Sequence, residues 1–278
     1  MKSNNPVFSR SEEFNRASSN VYGNQTYAGG GQSYPGYGEA TPSIDGGRMT
    51  VDSVVQKTAI SVALVFATAF ATWWWIGDII DVNTVNEDAY GRALTLSMLG
   101  AGGAFILSLV NSFKRVISPA LVLAFAAAEG VALGAISKVF DAQFGDGIVT
   151  QAVLGTFAAF AGTLAAYKFF DIKVGARFRT FVIAGMFGMV GLGLLSLVLS
   201  FFGINTGLFG FGALGLVMAI AGLVLGVFML ILDFDFVENG VAAGLPDHES
   251  WRAAFGLTVS LVWIYTNLLR ILAIIRGD

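Results

Sequence analysis

Three acidic residues, Asp233, Asp235 and Glu238, lie close together directly after a long apolar stretch. That stretch, residues 208–232, carries no charged residue and is long enough to cross a bilayer, which takes about 20 residues. On insertion scales, a carboxylate at the centre of a membrane helix costs about 2.5–3.5 kcal/mol. Because a chain that retains such groups usually uses them, we predict that this acidic cluster is the functional centre. A simpler interpretation is that the acids only mark the end of a span in the headgroup region.

The spacing of these acids predicts how they are distributed around a helix. Asp233 and Asp235 are two residues apart, so their side chains point about 200° apart. Asp235 and Glu238 share a face. We therefore expect one aspartate to point into the bundle and the other toward water or basic loops, and the spacing does not decide which. Calcium prefers several oxygen ligands, so Asp233 and Asp235 are candidate ligands for a transient Ca²⁺, without a resident cofactor.

Three further polar residues fall inside other apolar stretches. Glu129 lies among small residues, and a carboxylate at membrane depth is by default a functional candidate with a partner. Arg270, Asn267 or Asn111 could be that partner, or Glu129 is a protonated structural hydrogen bonder. Asn267 and Arg270 are three residues apart and share a helix face. Arg270 either pairs with an acid in the bundle or extends to the outer membrane surface.

The composition is that of a membrane protein rather than a soluble one. Of the 278 residues, 55% are hydrophobic and 13% are charged, whereas a soluble domain carries about 25% charged residues. The chain has no cysteine and one histidine, His248, which excludes disulfides, thiolate chemistry and histidine-rich metal sites. The net charge of −3 gives no indication of nucleic-acid binding. No phosphate-binding loop, zinc motif or nucleophile elbow is present, so we do not expect an enzyme.

Seven apolar stretches of bilayer length predict seven transmembrane helices. The predicted spans cover residues 53–76, 93–113, 119–140, 148–170, 181–202, 208–236 and 253–275. We therefore expect an all-α polytopic membrane domain over residues 51–278. Residues 1–50 form a polar tail with a Gly/Tyr/Gln tract that lacks aliphatic residues, and we predict that this tail is disordered.

The distribution of basic residues predicts the orientation in the membrane. An N-terminus on the cytoplasmic side places 12 of the 16 Lys and Arg residues on that side, as the positive-inside rule requires. We therefore expect a multi-pass protein of the plasma membrane with a cytoplasmic N-terminal tail. Seven full spans would place the C-terminus outside, whereas a re-entrant last segment would place both ends inside.

Three stretches together resemble the Bax inhibitor-1 family, whose members carry the transmembrane Bax-inhibitor motif. They are residues 124–130, 232–240 and 262–272, with the sequences AFAAAEG, LDFDFVENG and VWIYTNLLRIL. The resemblance covers about residues 50–278 and is nearest to the bacterial YccA-like branch. It implies seven helices in which the last is central and two groups of three flank it.

The resemblance also implies a function. Some members are pH-sensitive calcium leak channels, in which an aspartate of span six and one of span seven share a proton and gate a pore. Others regulate membrane-protein quality control by binding a membrane protease. Aligned on this chain, the span-six residue is Asp233 or Asp235, and the span-seven acid falls at Asn267. Asn267 cannot ionise, so the pH response should follow a single carboxylate unless Glu238 or Glu129 contributes.

Two functions therefore remain open at the level of the sequence. The first is a calcium leak with the span-six acids as its gate or ion site. The second is a membrane-embedded regulator that binds a membrane protease or another membrane protein. Besides the lipid bilayer, the sequence identifies no partner and no oligomeric state.

Overall fold

The computed structural model describes residues 47–81, 84–145, 147–170 and 172–277. Seven helices account for most of these residues: α1 (Val51–Ile76), α2 (Glu87–Phe113), α3 (Pro119–Phe144), α4 (Ile148–Phe169), α5 (Ala176–Phe201), α6 (Ala213–Ala242) and α7 (Glu249–Gly277). A short antiparallel pair, β1 (Ile80–Asp81) and β2 (Thr84–Val85), joins α1 to α2. The predicted disordered tail lies outside the described residues, apart from residues 47–50.

Each of the seven helices is long and apolar enough to cross a membrane. The all-α, seven-span fold predicted from the sequence is therefore confirmed. Two boundaries matter for function. Helix α6 continues to Ala242, so the acidic cluster lies within the helix and not at its end. Helix α7 is continuous from Glu249 to Gly277, and no re-entrant segment interrupts it.

Local sequence explains where several helices begin and end. Thr50 caps α1 by accepting a hydrogen bond from the Ser53 backbone, while the Ser53 side chain accepts one from the Thr50 backbone, the reciprocal pattern of a capping box. The Asn86 side chain caps α2, and Pro119 occupies the first turn of α3, where its missing N–H costs nothing. Helix α1 ends at Gly77, whose φ of 75° is readily adopted only by glycine.

Helix α7 is the centre of the bundle. It packs against α1, α3 and α4 on one side and against α6 on the other. Helices α1, α2 and α3 form one group, and α6 joins α4 and α5 into a second. This is the arrangement that the family resemblance implied. Glycines allow the closest approaches, because a Cβ on Gly134 of α3 would collide with the Ala69 backbone of α1.

The short segments that precede α1 and α7 pair with each other at one end of the bundle. We call this end of the bundle the Met49 end, and the opposite end, where α1 finishes, the Trp73 end. Residues 47–49 pair with residues 245–247 in antiparallel fashion: the Met49 N–H donates to the Leu245 carbonyl at 2.7 Å and the Asp247 N–H to the Gly47 carbonyl at 2.6 Å. The Met49 side chain is buried in the apolar core beside α6 and α7.

Candidate functional site

The three acids of α6 connect this helix to three different helices. Asp233 accepts a hydrogen bond of 2.5 Å from the Ser260 hydroxyl of α7. Asp235 forms a salt bridge of 2.8 Å with Arg179 of α5. The third acid, Glu238, accepts a hydrogen bond of 2.6 Å from a tyrosine hydroxyl of α4, that of residue 167. The acidic cluster is therefore the point at which α6 is joined to α4, α5 and α7.

Asp233 is the aspartate that faces the central helix α7, although its side chain is half-buried and Asp235 is the more buried of the two. Its carboxylate lies against Gly256 of α7, where an added Cβ would come within 2.9 Å of Oδ1. Its partner, Ser260, is fully buried. Among the described residues Asp233 meets a neutral hydroxyl rather than a cation, so no side chain neutralises its charge when the carboxylate is ionised.

Asp235 points the other way, toward the first turn of α5, which carries Arg179. The Asp235 side chain is 11% exposed and its partner Arg179 is 39% exposed, so the pair lies at the edge of the bundle. The Asp235 backbone carbonyl also accepts a hydrogen bond from the Asn239 side chain, which holds this turn of α6 helical. Glu238 is exposed at the same end. Asp235 thus joins α6 to α5 from a buried position, whereas Glu238 lies at the surface.

The structure does not bring Asn267 to the acidic cluster, where the family alignment placed it. The Asn267 side chain donates to the Trp263 carbonyl at 2.8 Å and packs against Gly222, where a Cβ would collide with its amide. Gly222 is 11 residues before Asp233, about 16 Å along α6. Ser260, two helical turns before Asn267, occupies the position opposite Asp233 instead.

The residue of α7 opposite Asp233 is therefore Ser260 and not Asn267. Serine lacks a carboxylate, as asparagine does, so the expectation that α7 contributes no acid to this contact is unchanged. The only acid of α7 is Glu249, at its first residue, where it forms a salt bridge with Arg252. The described structure therefore contains no carboxylate of α7 opposite Asp233. Two aspartates, one from span six and one from span seven, therefore cannot share a proton at this contact.

Glu129 has none of the three partners that the sequence suggested. Within the described residues its carboxylate makes no hydrogen bond or ion pair. Asn267 is bonded within α7, and Asn111 is buried with neither amide atom hydrogen-bonded. The Arg270 guanidinium lies 5.2 Å from the centre of the Phe209 ring, in the segment before α6. Arg270 thus neither pairs with an acid in the described bundle nor extends fully into the surroundings, since its Nη2 is buried.

A polar cluster closes the Met49 end beside the acidic site. The Lys57 ammonium of α1 donates to the Asp247 carboxylate at 2.7 Å, and Ser53 and Ser250 are hydrogen-bonded at 2.6 Å. The hydrogen bond from Lys57 lowers the pKa of the Asp247 carboxyl below its ordinary value. These contacts fix the first turn of α7 against α1, and so set the position of Ser260 relative to Asp233.

Some of these partners could be anticipated from the sequence and others could not. Arg179 belongs to the basic segment toward which one aspartate was expected to point. Gly256 and Ser260 are four residues apart, a small-residue pair on one helix face, which is the pattern of a close helix contact. That pattern is the signal in the sequence that points to Ser260. Within the described residues, no group of three or more His, Cys, Asp and Glu side chains could hold a metal ion together.

A comparison of the chain with known protein families identifies the family to which it belongs. The profile of the family described as Bax inhibitor 1 like matches residues 5–277, nearly the whole chain. The chain belongs to this family. A search of curated proteins finds no match. Membership in the Bax inhibitor 1 like family agrees with the seven-helix bundle around a central last helix, and it identifies the chain as an integral membrane protein.

Proposed function

We propose that this Bax inhibitor 1 like protein is a passive calcium leak whose gate is the contact between Asp233 and Ser260. The observation that carries the proposal is a carboxylate at membrane depth whose partner is a neutral hydroxyl. A carboxylate without a cation partner attracts either a proton or a metal cation. A leak also requires weak binding, so that ions depart again, and a single carboxylate satisfies this better than a complete coordination cage.

The proposed gate opens when α6 and α7 separate at this contact. The Asp233 carboxylate lies directly against Gly256 and is hydrogen-bonded to Ser260, so the described structure leaves no room for an ion between Asp233 and Ser260. Separation would expose the Asp233 carboxylate, and ions would then pass Asp235 and Glu238 toward the Met49 end. We assign that end to the cytoplasm, following the positive-inside rule.

Calcium flux into proteoliposomes loaded with an indicator dye tests this proposal. Asp233→Asn keeps the side-chain size but removes the charge, and we expect at least a tenfold loss of flux at neutral pH, which corresponds to about 1.4 kcal/mol in the barrier. The matched control is Asp78→Asn, which removes an acid that is 85% exposed in the segment after α1. An Asp233→Asn protein that conducts like the wild type would overturn the assignment of the gate.

The pH profile of the flux separates the structural assignment from the sequence alignment. With one carboxylate at the gate, the wild type should show a single titration step in its flux as the pH is varied. Ser260→Asp should add a second, coupled step, because it places two carboxylates in contact. Asn267→Asp makes a similar change on the same face of α7 but about 10 Å away, and it should leave one step. The reverse result would mean that the alignment and not the structure identifies the gate.

A second proposed function is a membrane-embedded regulator of a membrane protease or another membrane protein. The observation that favours it is α5, which packs chiefly against α6 and exposes most of its apolar surface. Gly188 on this helix has no neighbour within 4 Å of an added Cβ, so a partner helix could approach closely there. Gly188→Leu and deletion of residues 1–46 should each leave flux unchanged and reduce co-purification of the partner. If neither change affects binding, this second function is not supported.

A further inference from the structure

A groove lies on the side of α7 opposite to the acidic cluster. Helices α1, α3, α4 and α7 enclose it, and its volume is about 400 Å³. On α7 the groove is lined by Thr258, Val262 and Tyr265, whereas Ser260 points about 200° away from Thr258. The groove is therefore separate from the proposed gate, and its volume is within the usual range of small-molecule sites, about 300–1,000 Å³.

The walls of the groove are apolar and reach the outer surface of the bundle. Phe66 of α1 and Phe157 of α4 stack across it, with 6.1 Å between ring centres and 10° between ring planes. Each of these two side chains is almost half exposed. In a chain that spans the membrane, exposed apolar side chains at this depth face lipid. A ligand can therefore enter the groove sideways from the bilayer.

The polar groups in the deep part of the groove are already satisfied. The Thr156 hydroxyl donates to the Ala152 carbonyl at 2.8 Å, and the Thr258 hydroxyl donates to the Ala254 carbonyl at 2.7 Å. Ser137 and Tyr265 are hydrogen-bonded to each other at 2.6 Å. Because these hydroxyls need no ligand, the deep part of the groove accepts an apolar chain without leaving them unpaired.

The Trp73 end of the groove differs, because Asp141 lines it there. A carboxylate has roughly four acceptor positions, so Asp141 can accept a hydrogen bond from a ligand in addition to its contacts within the protein. Lys138, one turn earlier on α3, directs its ammonium to Asp78 at 3.2 Å and to the Trp73 ring at 4.8 Å. At this end the groove is therefore lined by a carboxylate, whose oxygens accept hydrogen bonds.

We propose that this groove binds an amphiphile with a primary ammonium head and an apolar chain, the head at Asp141 and the chain extending past Phe66 and Phe157. From Trp73 to Val62, the lining of α1 spans 11 residues, about 16 Å, which a chain of roughly a dozen carbons can follow. The ammonium then lies near the end of the membrane span and the chain lies toward its middle. The same orientation is natural for an amphiphile in a bilayer.

Binding of dodecylamine to the purified full chain in phosphatidylcholine nanodiscs tests the proposal. Dodecyltrimethylammonium has the same chain and charge but no N–H donor, and dodecyl sulfate has the opposite charge. We expect dodecylamine to bind at least about tenfold more tightly than either, since a hydrogen bond to a charged group is worth about that much. Equal binding of the three compounds would overturn the proposal.

Two variants locate the site. Asp141→Asn should weaken dodecylamine binding about tenfold or more, and Asp78→Asn, a nearby exposed acid, should not change it. If Asp141→Asn does not fold, Val153→Phe, which fills the groove from α4, should reduce binding without touching a charged group. Unchanged affinity in a folded Asp141→Asn or Val153→Phe protein would contradict the proposed site.

A change of lipid identifies the source of the ammonium head. Phosphatidylethanolamine carries the same primary ammonium as dodecylamine, whereas phosphatidylcholine does not. If a bilayer lipid is the occupant, dodecylamine should bind more weakly in phosphatidylethanolamine nanodiscs because the lipid competes. Equal affinity in the two lipids supports a free long-chain amine. Absence of dodecylamine binding in both lipids would refute the proposed chemistry, and none of these outcomes bears on calcium flux.

Discussion

The two faces of α7 differ in how closely their neighbours approach. Toward α6, side chains of α7 pack directly onto the glycines at 222 and 226, and Trp263 donates a hydrogen bond to the Gly222 carbonyl at 2.8 Å. Toward α1 and α4, the same helix borders a groove of about 400 Å³. One central helix thus has a closed face toward α6 and an open face toward the groove.

This difference determines what each face can do. On the closed face a ligand or ion gains access only if helices separate, which suits a gate. On the open face an apolar ligand can bind without any movement of the backbone. A change of side chain should therefore affect stability and flux on the α6 face, and ligand binding on the groove face. The following predictions test this contrast, beginning with the largest expected effect.

Enlarging a glycine on the closed face should have the greatest effect on folding. Gly222→Val places a branched side chain where the Asn267 amide already lies, so we expect a loss near the upper part of the usual overpacking range, about 3 kcal/mol. Thermal unfolding in detergent measures it. Gly188→Val is the matched control, because nothing lies within 4 Å of an added Cβ there. Similar losses in both variants would show that the close contact is not what stabilises this face.

Removing the hydroxyl opposite Asp233 should have the next largest effect. Ser260→Ala leaves a carboxylate in the bundle without its hydrogen bond, at a cost of about 1–2 kcal/mol of unfolding free energy. Ser97→Ala is the control, since the Ser97 hydroxyl bonds only to the Ala93 carbonyl within α2. We also expect Ser260→Ala, and not Ser97→Ala, to raise calcium flux. A stable Ser260→Ala protein with normal flux would argue against a gate at this contact.

Filling the groove should change stability less than either substitution on the closed face. Val153→Phe adds volume where space exists, so its effect on unfolding free energy should stay within about 1 kcal/mol. Calcium flux should remain at the wild-type level, while dodecylamine binding falls. A strong effect of Val153→Phe on flux would show that the two faces of α7 are coupled.

The smallest effect on stability is expected at the Met49 end. There the Asp247 carboxylate, just before α7, forms a salt bridge with Lys57 of α1. Because the Asp247 carboxyl has a lowered pKa in the folded protein, its ionised form stabilises the fold above its ordinary pKa of about 3.9. This contribution disappears as the pH falls below that value toward the folded-state pKa. Asp247→Asn should therefore lower the free energy of unfolding slightly at neutral pH, by less than about 1 kcal/mol for a partly exposed pair. The difference from wild type should vanish in acid, and a constant difference at every pH would contradict this origin.

The acidic cluster illustrates how far sequence reasoning reached into the site. Helical periodicity correctly indicated that Asp233 and Asp235 face different surroundings. It could not identify Asp233 as the residue that faces α7, because that depends on which side of α6 meets α7. The partner was missed for a related reason. Positions 260 and 267 occupy the same face of α7, and only the axial position of α7 against α6 decides which of them meets Asp233.

Glu129 and Arg270 show a different limit. Both were identified as polar residues inside spans, and the structure confirms their location within α3 and α7. A bond between them, one of the alternatives that the sequence left open, is absent from the described residues, and Arg270 instead lies against Phe209. Phe209 belongs to an irregular segment before α6. Periodicity carries no information about where such a segment places its side chains.

The sequence by itself determined the seven spans, the all-α class and the location of the acids, because each depends on local hydrophobicity and length. Its motifs also indicated the family. Only the tertiary structure decided that Ser260 meets Asp233, that Met49 packs beneath α6, and that α7 separates a closed contact from an open groove. These features depend on how far one helix is shifted along another, which is set by close contacts such as those of Gly222 and Gly256. Contacts between distant parts of the chain leave no periodic signal within either helix.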